Sequence, residues 1–221
     1  MYSNIENTQS SPTKQTEYKE ISKWDDLPLN MPLLRGIYSY GFDEPSAIQK
    51  KSILPILDGH DVIAQAQSGT GKTGAFTISA LNTIDLSKQE VQVIILAPTH
   101  ELVNQINKVV QGLSSFMEGF SSKTLLGGSS VQEDIEFLKK SPPHLVVGCT
   151  GRIHDLIKRR AFNTAHLKLC VLDEADEILS QGFQPQLQTI FTTIHTINQV
   201  ILFSATIPDS LKEITSKIMR K

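Results

Sequence analysis

The stretch that decides the fold is Asp61-Val62-Ile63-Ala64-Gln65-Ala66-Gln67-Ser68-Gly69-Thr70-Gly71-Lys72-Thr73, followed by a helical pattern over 73–86. A short apolar run leads into a glycine-rich turn and then into a helix start. Glycines there let backbone N–H groups close around phosphate oxygens, and the helix behind them presents free N–H groups and the positive end of its dipole. Lys72 is placed to reach a terminal phosphate, and the Thr73 hydroxyl to ligate Mg²⁺. Ala66 stands where the general Walker A pattern has glycine. The same letters also fit the dinucleotide pattern G-x-G-x-x-G, which calls for an acidic residue at the end of the next strand. That strand ends in Ala97-Pro98, so the dinucleotide alternative loses its ribose partner.

Working outward, further strands are expected at 91–97, 123–126, 145–149, 168–172 and 200–204. Several are nearly continuous Val, Ile and Leu, as in a parallel sheet covered on both faces. Helical patterns lie between them, at 45–57, 101–112, 130–140, 151–159, 185–195 and 209–219. Alternation of this kind predicts an α/β fold, a mainly parallel sheet flanked by helices on both faces, with ligands beyond the carboxyl ends of the strands. Residues 1–22 are polar and poor in apolar side chains, so a disordered tail is expected there, with one domain over 23–221.

The chain has 221 residues, a formal net charge of −2 and 39% hydrophobic residues, ordinary for a globular protein. With no overall excess of positive charge, nucleic-acid binding would have to be local. No apolar run is long enough to span a bilayer, so no membrane partner is expected. Cys149 and Cys170 lack a C-x-x-C spacing, and His60, His144, His154, His166 and His195 lack H-E-x-x-H spacing, so no zinc site is predicted.

About a hundred residues past the phosphate loop, Leu169-Cys170-Val171-Leu172 leads into Asp173-Glu174-Ala175-Asp176, an apolar strand ending in acid. Asp173 suits Mg²⁺ and Glu174 suits an attacking water. The strand at 200–204 closes on Ser204-Ala205-Thr206.

Gln67–Thr73, Asp173-Glu174-Ala175-Asp176 and Ser204-Ala205-Thr206, in this order and spacing, resemble the DEAD-box RNA helicases. The likeness runs from Trp24 to the C-terminus, and its wording is nearest the translation-initiation branch; exon-junction and nucleolar relatives share much of it. It implies the N-terminal RecA-like lobe of an ATP-dependent RNA helicase, using ATP with Mg²⁺. Cofactor binding would fall to Phe42, Gln49, Ser68, Gly69, Thr70, Gly71, Lys72 and Thr73. In the segment Gly41–Gln49, which resembles the family's Q motif, Phe42 would stack on adenine and Gln49 bond its edge. Catalysis would fall to Lys72, Asp173, Glu174, Ser204 and Thr206, and metal ligation to Thr73 and Asp173.

RNA contacts implied by the resemblance are Pro98, Thr99, His100, Gly127, Gly128, Thr150, Gly151 and Arg152. They would grip the sugar-phosphate backbone, which carries no base identity. Two positions depart from the family pattern: His100 stands where Arg is usual, and Cys149-Thr150 where Thr-Pro is usual. His offers fewer donors than Arg and no permanent charge, and losing Pro loosens the backbone, so a weaker grip is expected. No His-Arg-x-Gly-Arg segment occurs to supply an arginine finger, which in this family comes from a second lobe. This lobe alone is therefore expected to bind ATP and hydrolyse it weakly or not at all. Expected partners are RNA, a second helicase lobe and a helical-repeat scaffold protein of the initiation machinery. The expected location is cytoplasmic, or nuclear if the exon-junction or nucleolar likeness is the closer one. The alternative is a non-catalytic nucleotide-binding module that competes with a full-length helicase.

Overall fold

The structure is a computed structural model that describes residues 21–194 and 196–219. Among them the sheet has six strands, all parallel: β1 (Val62–Gln65), β2 (Val93–Ala97), β3 (Ser122–Leu125), β4 (Leu145–Cys149), β5 (Leu169–Leu172) and β6 (Gln199–Ser204). Their spatial order is β1-β6-β5-β2-β4-β3. Each expected strand is present to within two residues. Most of the strand residues are buried, which is why they read as unbroken apolar runs rather than alternation.

Alternate side chains serve two cores. Val93, Ile95, Val147, Val171, Ile201 and Phe203 face one side. They are covered by α1 (Met31–Ser39), α2 (Ala47–Leu57), α3 (Lys72–Thr83) and α4 (His100–Leu113). Ile94, Leu96, Val146, Cys170, Leu172 and Leu202 face the other. There the cover is α5 (Val131–Lys140), α6 (Thr150–Lys158), α7 (Ala175–Ser180), α8 (Gln184–Thr193) and α9 (Asp209–Ile218). Helices on both faces agree with the expected class.

Several details differ from expectation. Helix α1 is absent from the sequence reading because Pro32 and Gly36 look like breakers. Pro32 sits in the first turn, where its missing N–H costs nothing, and Asn30 caps Leu33 N–H. Gly36 lies against the Leu113 carbonyl, where a Cβ would stand 1.9 Å from the oxygen, so glycine is required there. Helix α3 stops at Thr83, short of the expected 86, because Ile84 turns extended. Ile21 is buried in the first core, so the ordered domain reaches into the segment read as tail; the rest of that expected tail, residues 1–20, lies outside the described residues, as does His195.

The sheet order divides the carboxyl edge. Strand β6 lies between β1 and β5, so the ends of β1, β6 and β5 make one half. The ends of β2, β4 and β3 make the other, with Ala97 beside Cys149 and Leu125 beside Gly148.

Candidate nucleotide site and RNA-facing rim

In the first half, the loop after β1 turns through Gly69 at φ +80° and Gly71 at φ +96°, left-handed conformations that favour glycine. Gly71 caps α3, whose first residue, Lys72, is buried. The Lys72 Nζ lies 3.7 Å from Asp173 Oδ1 at the end of β5. Ala66 N–H donates to the Ser204 carbonyl and Gln65 Nε2 to the Ala205 carbonyl, tying this loop to the end of β6.

The 41–49 segment closes on the loop from above. Gln49 Nε2 donates to the Gly71 carbonyl at 3.1 Å, and its Oε1 accepts from Ser46 N–H at 2.7 Å. Ser46 Oγ donates to the Thr70 carbonyl at 2.9 Å. Gln49 is buried, and its amide holds the phosphate loop. Phe42 lies against Gly74, where a Cβ would come within 2.9 Å of the ring. Trp24, fully buried, donates its indole N–H to the Phe42 carbonyl and stacks on its ring, while Tyr40 meets the same ring edge-on. Trp24 thus positions Phe42.

Burial drives the Asp173 carboxyl up to about 6; Lys72 opposes this and the Glu174 charge adds to it. A carboxylate in so dry a place calls for more positive charge than one lysine at 3.7 Å, so its chemistry fits the divalent ion expected there. Glu174 is a non-glycine residue at φ +50° and opens α7, a helix hidden in sequence because it is short and starts inside the acidic box.

Asp176, a residue not singled out in the sequence reading, ties the acidic box to the end of β6. Its N–H donates to Ser204 Oγ at 3.1 Å, and its Oδ2 accepts from Thr206 N–H at 2.9 Å and Thr206 Oγ1 at 2.7 Å. Burial would raise the Asp176 carboxyl, but the bonds from Thr206, Ser204 and the backbone outweigh it and hold the group below its ordinary value. Ser204 and Thr206, expected among the catalytic residues, are thus placed as partners of the acidic box. The four-residue box and the three-residue Ser204-Ala205-Thr206 segment are each visible in sequence, but the bond between them is long-range, thirty residues apart.

The other half holds the expected RNA residues. Thr99 caps α4 and is exposed with His100. Gly127 and Gly128 are exposed in the loop after β3, and His100 Nε2 lies 3.6 Å from where a Gly127 Cβ would stand. Pro98 and Thr150 are buried, and Gly151 is covered in part by the Phe183 ring. Thr150 Oγ1 is buried and has no hydrogen-bond partner. Arg152, expected among the RNA contacts, is buried, and its guanidinium bonds Asp134 and Ser129. The 158–160 run is exposed, with Arg159 paired to Asp155. Cys149 and Cys170 are free thiols, and burial pushes the Cys170 thiol up to about 12.

A parallel sheet carrying a phosphate loop at one strand end and an acidic box at another defines a RecA-like, nucleoside-triphosphate-binding lobe. The chain belongs to the DEAD/DEAH box helicase family, whose model matches residues 46–214. It is 49% identical over its whole length to the ATP-dependent RNA helicase eIF4A of Eremothecium gossypii, of which it covers 55%. It is 51% identical over 93% of its length to the eIF4A of Saccharomyces cerevisiae strain YJM789, of which it covers 52%. The chain therefore spans about half the length of these relatives. Among solved structures it is similar to a DEAD box protein from the hyperthermophile Methanococcus jannaschii, with a TM-score of 0.86 at 32% identity over 91% of this chain and 55% of that one. It is also similar to S. cerevisiae Dbp5 bound to Gle1 and IP6, with a TM-score of 0.83 at 33% identity over 91% of this chain and 51% of that one.

Proposed function

We propose that this chain is the ATP- and RNA-binding lobe of an ATP-dependent RNA helicase of the eIF4A type. The observation that carries the reading is the buried Lys72–Asp173 pair beneath a glycine loop whose carbonyls are already held by Gln49 and Ser46. With its carbonyls engaged, the loop's N–H groups are left for phosphate oxygens. Lys72 would bind the terminal phosphates, and Phe42 and the 41–49 segment would bind adenine. When bound, Mg²⁺ offsets charge on the β- and γ-phosphates, with Asp173 and Thr73 as its residues here. Glu174 would orient the attacking water. The Asp176–Thr206 bond would tie the acidic box to the end of β6, so that a change at the phosphates is felt at Ser204-Ala205-Thr206.

RNA would run along the rim formed by Thr99, His100, Gly127, Gly128 and Gly151, in a sequence-independent manner. A second lobe would complete the charge stabilisation, since residues 1–221 hold no arginine-finger segment. A helical-repeat scaffold as partner, Mg²⁺ as the metal and a cytoplasmic place of work are further parts of this reading. Among the described residues, no helix is long and apolar enough to cross a membrane.

The test is a fluorescence titration of residues 1–221 with a ribose-labelled ATP analogue and Mg²⁺. Binding should be clear in the wild type and weaker by about two orders of magnitude in Lys72→Ala, which removes a charged phosphate contact and leaves Asp173 buried without its partner. ATP turnover should stay near background with or without RNA. Equal affinity in the two proteins would defeat the ATP site; brisk RNA-stimulated turnover would defeat the need for a second lobe.

A further inference from the structure

We infer that Asp134, acting through Arg152, is the positioning residue that shapes the Gly127-Gly128 loop for RNA; this rests on the proposed RNA reading of the rim. Asp134 is on the first turn of α5 and has no part in the nucleotide half. Two adjacent exposed glycines, one at φ +83°, are the least self-ordering of backbone segments, so something outside them must set their path. The hydrogen bonds show what does. Ser129 Oγ donates to the Leu126 carbonyl at 3.0 Å, closing the chain across the glycine pair. The same Oγ accepts from Arg152 Nη1 at 3.1 Å, and the Ser129 carbonyl accepts from Arg152 Nη2 at 2.7 Å. Asp134 takes a short, charge-assisted bond from Nη1 and is 6% exposed, against 8% for Arg152.

One guanidinium therefore grips both the hydroxyl and the carbonyl of Ser129, and one carboxylate fixes the guanidinium. Arg152 directly follows Thr150-Gly151 at the start of α6, so the same pair joins the loop after β4 to the loop after β3. A buried ion pair is weak evidence for net stability, since apolar replacements often do as well. Its fork geometry does fix one arrangement, which a greasy contact would not. With Asp134 neutralising its charge, Ser129 taking a bond from each Nη, and the side chain buried, Arg152 presents little to a phosphate. It serves the rim by holding the loop rather than by touching RNA.

The experiment takes residues 1–221 as wild type, Asp134→Asn, Arg152→Lys and Ser129→Ala. It measures oligouridine affinity by filter binding at fixed salt, labelled-ATP-analogue affinity, and amide hydrogen exchange over 126–130. Asp134→Asn keeps the shape but loses the charge and should weaken RNA binding about tenfold. Lysine cannot fork to two acceptors, so Arg152→Lys should match it; Ser129→Ala should cost about threefold. Exchange at 126–130 should quicken in all three, while analogue affinity stays within about twofold, because the nucleotide half is untouched. A remote core variant, Ile56→Val, chosen to lower the melting temperature comparably, should leave RNA affinity unchanged; a parallel loss there would make the effect one of stability and overturn the inference. Unchanged RNA binding in the variants, or unchanged exchange at 126–130, overturns it as well. Ser129 is exposed, so Ser129→Ala carries the test even if a buried variant fails to fold. If the wild type itself holds no oligouridine, the RNA reading falls, and the exchange measurement alone then judges the Asp134–Arg152 strut.

Discussion

The two halves of the carboxyl edge are built on opposite plans. Around β1, β6 and β5, the functional groups are buried or bonded to one another: Lys72 to Asp173, Gln49 to Gly71, Asp176 to Thr206. Around β2, β4 and β3, much of what would touch a ligand is exposed, and one buried pair behind the surface holds the shape. The difference follows from what each half would hold. A triphosphate concentrates charge at one place, and binding it needs N–H groups and a cation preorganised out of water. A nucleic-acid backbone spreads its charge along a line, and binding it needs open access with modest contacts repeated. The departures from the family pattern at His100 and Cys149-Thr150 lie in the second half.

The largest effect expected of this contrast is in pH dependence. Asp173 in the folded protein is raised to about 6 from an ordinary value of 3.8, with burial as the main cause. Its stability contribution is therefore fully present below about 3.8 and is lost as pH rises through about 6, because the folded state then gives up a proton it held more tightly than the unfolded chain. On the proposed reading Mg²⁺ would need the ionised carboxylate, so metal-dependent nucleotide binding would have the opposite trend and strengthen as pH rises through about 6. Between pH 7.5 and pH 5, Mg²⁺-dependent analogue affinity should fall about tenfold by titration calorimetry, as a proton competes for one ligand. Asp173→Asn should flatten that slope. Oligouridine binding without nucleotide should not follow it, since Asp173 belongs to the other half. A common slope for both ligands would erase the distinction drawn between the halves.

A middle-sized effect tests how tightly the nucleotide half is packed. Gly74 sits inside α3, where alanine would ordinarily stabilise a helix by about 1 kcal/mol. Here a Cβ would stand 2.6 Å from Gln49 Nε2 and 2.9 Å from the Phe42 ring. Overpacking costs about 1–3 kcal/mol, so the clash should win. Gly74→Ala should lower the melting temperature by a few degrees and weaken analogue binding several-fold, because it pushes on the two side chains proposed for adenine. A rise in melting temperature would mean that Phe42 and Gln49 move aside at no cost.

Legibility in the sequence divides along a different line, between local pattern and long-range pairing. The strands at the edge were readable because burial on both faces leaves unbroken Val, Ile and Leu. The phosphate loop and acidic box were readable because local chemistry demands glycines, a lysine and acids at short range. What was not readable depends on pairings across long stretches of chain. Arg152 looks like a surface charge until Asp134, eighteen residues away, is brought beneath it. Asp176 looks like the last letter of a box until Thr206 meets it. Helix α1 was masked by Pro32 and Gly36, whose fitness shows only in the first-turn geometry and in the Leu113 carbonyl pressed against the glycine.

The smallest expected effect lies on the rim, and there structure sharpens the sequence expectation. Thr150 is the first residue of α6, the position where proline's missing N–H and fixed φ are best suited. Cys149 before it has φ −76° and ψ 142°, the extended geometry that a following proline requires. Thr150 also buries a hydroxyl with no partner, which proline would remove. Thr150→Pro should therefore stabilise the chain by about 0.5–1 kcal/mol, mainly by restricting the unfolded state, and raise its melting temperature slightly. Adding His100→Arg places a permanent forked cation beside Gly127, and the double variant should hold oligouridine about threefold more tightly with a steeper salt dependence. The order matters: proline alone should move stability more than RNA affinity, and arginine alone the reverse. If proline destabilises, the strain lies in a backbone that the flanking angles do not reveal. If arginine leaves the salt slope unchanged, His100 does not face the RNA track, and the rim must be redrawn around Gly127, Gly128 and Gly151.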